Sequence, residues 1–305
     1  VSLSGDRPLT RQIIKVGTRL LLGSSRAHFQ DFFPALGLEL QATPPKISYR
    51  GTTVGSLQSS LILGRGQAAA YLVGSGPSIN DCDMRLVEPG SAILLNGAIQ
   101  LTQTQIRQPL AIAVEDERFV WRHFDMMRGR IGEGAICLFS VQVLRALCER
   151  DPQWLSDKRI VLIDNLSKPY KRRRRTMADV AALDFVLSDQ AHDAAISLEP
   201  DRGVVQGGSV AISALQFLLA CKPQLIGLFG IDIRNASEPR FYETKGASAF
   251  SGIAGAEKRI LRYFDIAKAR CEKQDTRLEC YSRRSALLDL GIRYSDRFSL
   301  TSDRS

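Results

Sequence analysis

From Ala69 onward the chain repeats one theme: a short apolar run, a glycine or polar turn, then a segment with apolar residues at helical spacing. The runs fall near 69–74, 92–96, 110–114, 135–139, 159–164, 225–231 and 277–281, and the helical patterns at 139–150, 176–187, 209–221 and 254–273. A strand apolar on both faces needs cover on both, and helices between successive strands supply it. The alternation therefore predicts an α/β fold, a Rossmann-like, mostly parallel sheet with helices on both faces. Ligands of such sheets bind beyond the carboxyl ends of the strands. At 305 residues, 44% of them hydrophobic, the chain has enough apolar mass to cover both faces.

The region before this alternation has a different character, and the expected division is a basic segment over 1–66, a ligand-binding domain over 67–292 and a tail over 293–305. The formal net charge is +9, and it is unevenly spread. Residues 1–66 carry Arg7, Arg11, Lys15, Arg19, Arg26, Lys46, Arg50 and Arg65 against Asp6, Asp31 and Glu39, and "KPYKRRRR" at 168–175 puts six positive charges in eight residues. Such fields attract phosphates, anionic membranes or nucleic acid; the plainer reading of each is a solvated face. In "LTRQIIKVGTRLLL", residues 9–22, Leu9, Ile13, Val16 and Leu20 share one face and Arg11, Lys15 and Arg19 lie mostly off it. That is an amphipathic helix, suited to an anionic membrane surface or, more plainly, to packing on its own domain. Residues 41–68 suggest an irregular connection or short hairpins. The longest apolar run, Val210–Cys221, is too short to span a bilayer and suggests a buried helix. Six scattered cysteines without a C-x-x-C pair fit buried free thiols in a reducing compartment, and no cleavable secretory signal is expected.

The sharpest motif is "LVGSGPSIND". Gly74-Ser75-Gly76 starts like a dinucleotide fingerprint, but the third glycine position holds Ile79 and Asn96, not an acid, closes the next strand. No Gly-Lys-Ser/Thr follows, so a Walker loop is excluded. What remains suits an anion: glycines that let backbone approach a ligand, Pro77 in a first helical turn, and Ser78 beside helix amides. Gly207-Gly208-Ser209 opens a second helix in the same manner. Asn96-Gly97, Glu115-Asp116-Glu117 and Gly230-Ile231-Asp232 close three strands. The two glycine-led helix starts are expected to face one crevice and to hold a nucleotide phosphate and its sugar there.

"LVGSGPSIND", "ILLNGA" and "GGSVAISALQFLLACKPQLIGLFGIDI" together resemble, in order and spacing, the bacterial sialyltransferases of glycosyltransferase family 42, over roughly residues 69–245. The resemblance implies a GT-A-like α/β domain that transfers an acidic sugar from its CMP ester to a glycan, with inversion. It implies that Gly74, Ser75, Gly76 and Asn96 contact the ribose and phosphate, that Gln206, Gly207 and Gly208 face the donor, and that Gly230 and Asp232 border the cytidine. Pro77, Ser78, Gly97 and Ser209 complete the expected donor set. The chain departs from the family pattern where Arg234 replaces a tyrosine, where Phe241-Tyr242 matches a second tyrosine only loosely, and where a catalytic histidine has no counterpart among His28, His123 and His192.

Transfer from a CMP-sugar requires a stabilised departing phosphate and a base for the acceptor hydroxyl. Asp116 is the leading expected base, with Glu115 and His123 behind it and Tyr242 as a further catalytic candidate; the plainer reading of the acidic triplet is a helix N-terminus complementing its dipole. Arg234, Arg240, Tyr242 and Lys245 follow the last strand of the crevice, and Arg234 would meet the carboxylate of Kdo or sialic acid, with Kdo preferred because the departures lie on the sugar side. No cofactor is required. A divalent metal stays open, since Asp81-Cys82-Asp83 is a D-x-D string that would fall inside one helix, where the two carboxylates diverge. The expected partners are a CMP-activated sugar, a glycan or lipopolysaccharide acceptor and an anionic membrane surface, with nucleic acid disfavoured. The expected location is the cytoplasmic face of a bacterial inner membrane, held peripherally. Two rivals stand beside this reading: a pterin pyrophosphokinase-like enzyme, which the Gly-x-Gly-Pro-Ser group also resembles, and a non-catalytic nucleic-acid or membrane-surface binder.

Overall fold

The computed structural model describes residues 7–189, 194–233, 240–242 and 257–300. Arg234, His192, Glu243 and Lys245 lie outside them. The central element is an 11-stranded sheet. It is built on β4 (Ala70–Val73), β5 (Ala92–Leu95), β6 (Ala111–Val114), β7 (Ile136–Ser140) and β8 (Arg159–Ile163), then β11 (Leu225–Phe229), β12 (Arg277–Cys280) and β13 (Arg293–Tyr294). The antiparallel meander β1 (Leu36–Glu39), β2 (Lys46–Tyr49) and β3 (Thr52–Gln58) extends it, because β3 pairs parallel with β8. The stretch expected as an irregular connection or short hairpins thus holds a hairpin, β2 and β3, that joins the sheet, and β13 lies in the stretch expected as a tail.

The strand order is β1-β2-β3-β8-β7-β6-β5-β4-β11-β12-β13. From β4 the chain moves outward one way through β8, then returns to lay β11 on the other side of β4. The switch point lies between β4 and β11, which pair parallel. Every residue of β4, β5, β6 and β11 is buried, as expected of strands covered on both faces.

Alternate side chains feed two cores. Leu72, Ile93, Leu138, Val161 and Leu228 pack beneath α5 (Val210–Cys221) and α6 (Glu257–Lys273). Tyr71, Val73, Leu94, Ile112 and Phe139 pack on the opposite face beneath α2 (Glu117–Arg130) and α3 (Val141–Arg150). The expected helix over 176–187 ends early. Only α4 (Met177–Ala181) is helical, started by a Thr176/Asp179 capping box, and β9 (Val186–Asp189) then pairs with β10 (Ala194–Ser197) as a separate hairpin. Val186, Leu187 and Ser188 suit a strand as readily as a helix, and pairing with β10 decides between them.

α1 (Leu9–Leu22) does not pack its apolar stripe on its own domain, the plainer of the two expectations for it. Its buried residues are Arg11 and Thr18. Arg11 donates to the Phe33 and Gln30 carbonyls and pairs with Glu149. The apolar stripe faces outward instead, with Ile13 72%, Leu20 78% and Leu21 85% exposed. The helix is anchored by a polar side chain, which leaves its hydrophobic face without cover among the described residues. All six cysteines are buried free thiols. Among the described residues no helix is long and apolar enough to cross a membrane.

Candidate functional site

The two glycine turns share a sequence style and differ in what surrounds them. After β4, Gly74 N–H donates to Phe229 O at 2.8 Å and Gly76 N–H to Gly230 O at 2.9 Å. A Cβ on Gly74 would collide with the Gly230 carbonyl, and one on Gly76 with the Asp232 carboxylate. These glycines are therefore required by backbone crossing backbone at the switch point. Pro77–Asp81 is a short 3₁₀ turn. The amide and hydroxyl of Ser78 donate to the Asp232 carboxylate at 2.8 and 2.7 Å, and Ser282 adds a third donor at 2.7 Å. The Ser78 amide and hydroxyl, expected to meet a ligand anion, thus meet a carboxylate of the chain itself. Residues 240–242 cover the turn further: Phe241 N–H reaches Ser75 O at 3.3 Å, and the Tyr242 ring occupies the space above Gly97 where a Cβ would go.

The second turn is open. Gln216, which interrupts the apolar pattern of α5, is fully buried. Its Oε1 accepts from Ser197 and Val205 N–H at 2.7 and 2.9 Å, and its Nε2 donates to Val205 and Ile212 carbonyls at 2.8 and 2.9 Å. Such a staple fixes residues 204–206 against the helix, each bond contributing about 1 kcal/mol and costing more if broken while buried. It aims Gly207, Gly208 and the N-cap Ser209 at the carboxyl edge of the sheet. There Gly208, Ser209 and Val210 line a hollow of about 330 Å³, together with groups at the ends of β5, β6 and β7.

Glu115 closes β6 at this hollow. Its carbonyl accepts from Ser140 Oγ at 2.7 Å and Gln142 Nε2 at 2.8 Å, and its carboxylate accepts from Ser213 Oγ of α5 at 3.0 Å. Gln206 hydrogen-bonds the same carboxylate. Burial pushes the carboxyl up to about 7, outweighing those bonds. The neighbouring Asp116 has the opposite environment. It caps α2, accepting from Arg118 N–H at 2.9 Å, and it pairs with the guanidiniums of Arg118 and Arg7. Although burial opposes it, these partners hold its carboxyl below the ordinary carboxylate pKa. A carboxylate so held is a weaker base than a carboxyl raised to about 7.

Arg7, Arg118, Arg122 and Arg240 give the hollow its positive lining. Arg7 is set by a buried network in which it pairs with Glu117 at 2.7 Å and Glu117 accepts from the fully buried Arg145. Asn96 stands at the end of β5 with φ +47°, a left-handed conformation asparagine tolerates. Its Oδ1 is sealed from solvent without a hydrogen-bond partner among the described residues, at the wall of the hollow. His123 also lines it, at a kink in α2. Tyr242 accepts from Arg240 at 3.0 Å.

Of the expected site residues, the structure brings Asn96, Asp116, His123, Gly208 and Ser209 to this hollow. Gln206 lines a larger, adjoining cavity of about 500 Å³, and buried Gly207 lies beneath the turn. Gly74, Ser75, Gly76, Pro77, Ser78, Gly230 and Asp232 form the knot at the switch point, and Gly97 and Tyr242 its cover. The residues of the first turn are not among those that line the hollow at the second; Ile79 of the first belongs to the core of one face, and α5 packs on the other. The D-x-D string is not within one helix, since Asp83 caps the following turn and pairs with Arg85 at 2.7 Å. Among the described residues no cluster of potential metal ligands occurs.

No protein-family model and no curated protein matches the chain. Among solved structures it is similar to the sialyltransferase CstII from Campylobacter jejuni in complex with CMP-3FNeuAc, at 12% identity, covering 77% of this chain and 89% of that one with a TM-score of 0.41. It is likewise similar to the same enzyme in complex with cytidine-5'-monophosphate, at 11% identity over 78% and 89% of the two chains with a TM-score of 0.44. Both likenesses are too distant to assign chemistry to individual residues.

Proposed function

We propose that the chain is a glycosyltransferase that moves an acidic sugar, Kdo in preference to sialic acid, from its CMP ester to a glycan of the bacterial surface. The observation that carries this reading is Glu115: a rigidly held carboxyl, poised near neutrality by burial, facing a hollow whose other walls are arginines and a helix N-terminus. The acceptor hydroxyl oxygen attacks the anomeric carbon, its proton passes to Glu115, and the bonding pair of the breaking carbon–oxygen bond leaves with CMP. Arg118, Arg122 and Arg240, with the amides that open α5, disperse the charge gathering on the phosphate. The orphaned Asn96 Oδ1 matches a ribose or cytosine donor. This chain's residues perform each step without a resident cofactor.

The outward apolar stripe of α1, flanked by Lys15 and Arg19, suits an anionic bilayer, where a glycolipid acceptor resides. On this reading the protein sediments with phosphatidylglycerol vesicles, and Ile13→Glu/Leu20→Glu abolishes sedimentation; binding unaffected by both changes would remove the membrane from the account.

The functional test is release of CMP from CMP-Kdo and CMP-sialic acid with a lipopolysaccharide-core acceptor, alongside thermal shifts by CMP and by ATP with magnesium. CMP stabilisation and acceptor-dependent release are expected. Stabilisation by ATP with magnesium alone would favour the pyrophosphokinase reading, and RNA binding that weakens with salt, without CMP release, would favour the non-catalytic one.

A further inference from the structure

The two basic stretches, distant in sequence, are packed together. The turn over Ser24–Asp31 that follows α1 lies directly on the 168–175 run: His28 Nε2 donates to Pro169 O at 3.1 Å, and Arg174 N–H to Ser25 O at 2.9 Å. Between them lies the cavity of about 500 Å³, with Lys15, Arg19, Lys168 and Arg174 at its rim. None of these four cations has an ion-pair partner among the described residues. Holding them near one another without carboxylate partners costs electrostatic free energy, which a bound anion would recover. Polar groups including Ser140, Asn165 and the buried His28 form much of the rest of the lining, with Ala27, Val141 and Ile163 between them. The two acids there, Asp31 and Asp164, are each raised to about 6 by burial; they still ionise at neutral pH and balance part of the positive charge, and the cations at the rim outnumber them.

We propose that this cavity is a second anion site, which binds a phosphate ester carried by the acceptor. The proposal rests on the glycosyltransferase reading for the word acceptor, and on the cavity alone for the anion. Its position fits: Arg7 and Gln142 line both the cavity and the hollow, and Gln206 reaches from the cavity to the Glu115 carboxylate. A phosphate held at the rim would leave a neighbouring sugar hydroxyl directed toward the base. A nucleic acid is disfavoured because the one aromatic of the basic run, Tyr170, is buried 4.8 Å from Phe32 with its hydroxyl accepting from Leu38 N–H, so it offers no face to a base.

Calorimetry with glucose phosphate, in saturating CMP and without CMP, tests the site. Glucose phosphate is expected to bind in both conditions and unphosphorylated glucose in neither. Lys168→Gln/Arg174→Gln is expected to weaken it about ten- to a hundredfold, whereas Lys168→Arg/Arg174→Lys keeps the affinity. Displacement of glucose phosphate by CMP, or equal affinity in the charge-removed variant, would overturn the proposal. Phosphatidylglycerol vesicles form a second arm: loss of vesicle binding in the same variant, restored by the charge-retaining one, would place the phosphate on a lipid headgroup. Binding of glucose phosphate by a protein that fails to bind CMP would leave the site standing and remove the donor assignment.

Discussion

Gly74-Ser75-Gly76 and Gly207-Gly208-Ser209 are the same device in sequence, a glycine turn leading into a helix, yet the fold uses them for different ends. The first sits at the switch point between β4 and β11, the crevice where open α/β sheets most often bind ligands. Here that crevice is closed by main chain and by Asp232, which takes up the Ser78 amide and hydroxyl. The second sits one side of it, over β5 to β7, and opens on a hollow with a poised carboxyl and a positive wall. The lesson is that a helix amide counts as an anion site only when the chain has not already provided the anion.

The largest expected effect lies at the open turn. Glu115→Gln should reduce transfer about 10²- to 10⁴-fold, the usual worth of a positioned base. The same change should raise the melting temperature above neutral pH. Because burial lifts the folded carboxyl to about 7 from 4.5, the native state holds its proton between those values while the unfolded chain loses it, so stability falls as pH rises across that window. Removing the charge restores what ionisation costs. Loss of activity together with loss of stability would instead mark Glu115 as scaffold.

At the closed turn the expectation is inverted. Asp232→Ala strands the Ser78 amide and two serine hydroxyls, costing about 1–3 kcal/mol of stability, with CMP affinity retained. A folded Asp232→Ala protein that no longer binds CMP would break the comparison, since the first turn would then be part of the donor site. Asn96→Ala removes an acceptor that has no partner among the described residues, so it should weaken CMP by up to about tenfold without lowering the melting temperature. The smallest effect is expected of Asp116→Asn. Asparagine caps a helix as well as aspartate, and exposed ion pairs contribute about 0–1 kcal/mol, so transfer should change by less than about threefold; a far larger loss in transfer assays would return the base to Asp116.

What was legible in the sequence follows from what burial writes into it. β4 to β8 and β11 are apolar on both faces and announce themselves, as does α5. β3, which carries Thr52, Thr53 and Gly55 and is mostly half-buried, looks like a loop until its pairing with β8 is seen. The outward stripe of α1 was legible as a stripe but not in direction, because Arg11 anchors it through tertiary contacts. In "VEDERF" the pattern of a capping Asp followed by a helix was readable, and it implies that the residue before the cap, Glu115, ends the strand and faces the ligand edge. What sequence could not supply is the distance relation that joins Ser78, Asp232 and Ser282, residues from three separate parts of the chain.

The central claim is that Glu115 is the group that takes the acceptor proton. The direct measurement is the pH dependence of kcat/KM for CMP release in the presence of acceptor, in the unaltered protein and in Glu115→Gln. The account predicts a rate that rises through about pH 7 as Glu115 ionises and a far lower, flat profile in the variant. The same rising limb in Glu115→Gln would contradict it.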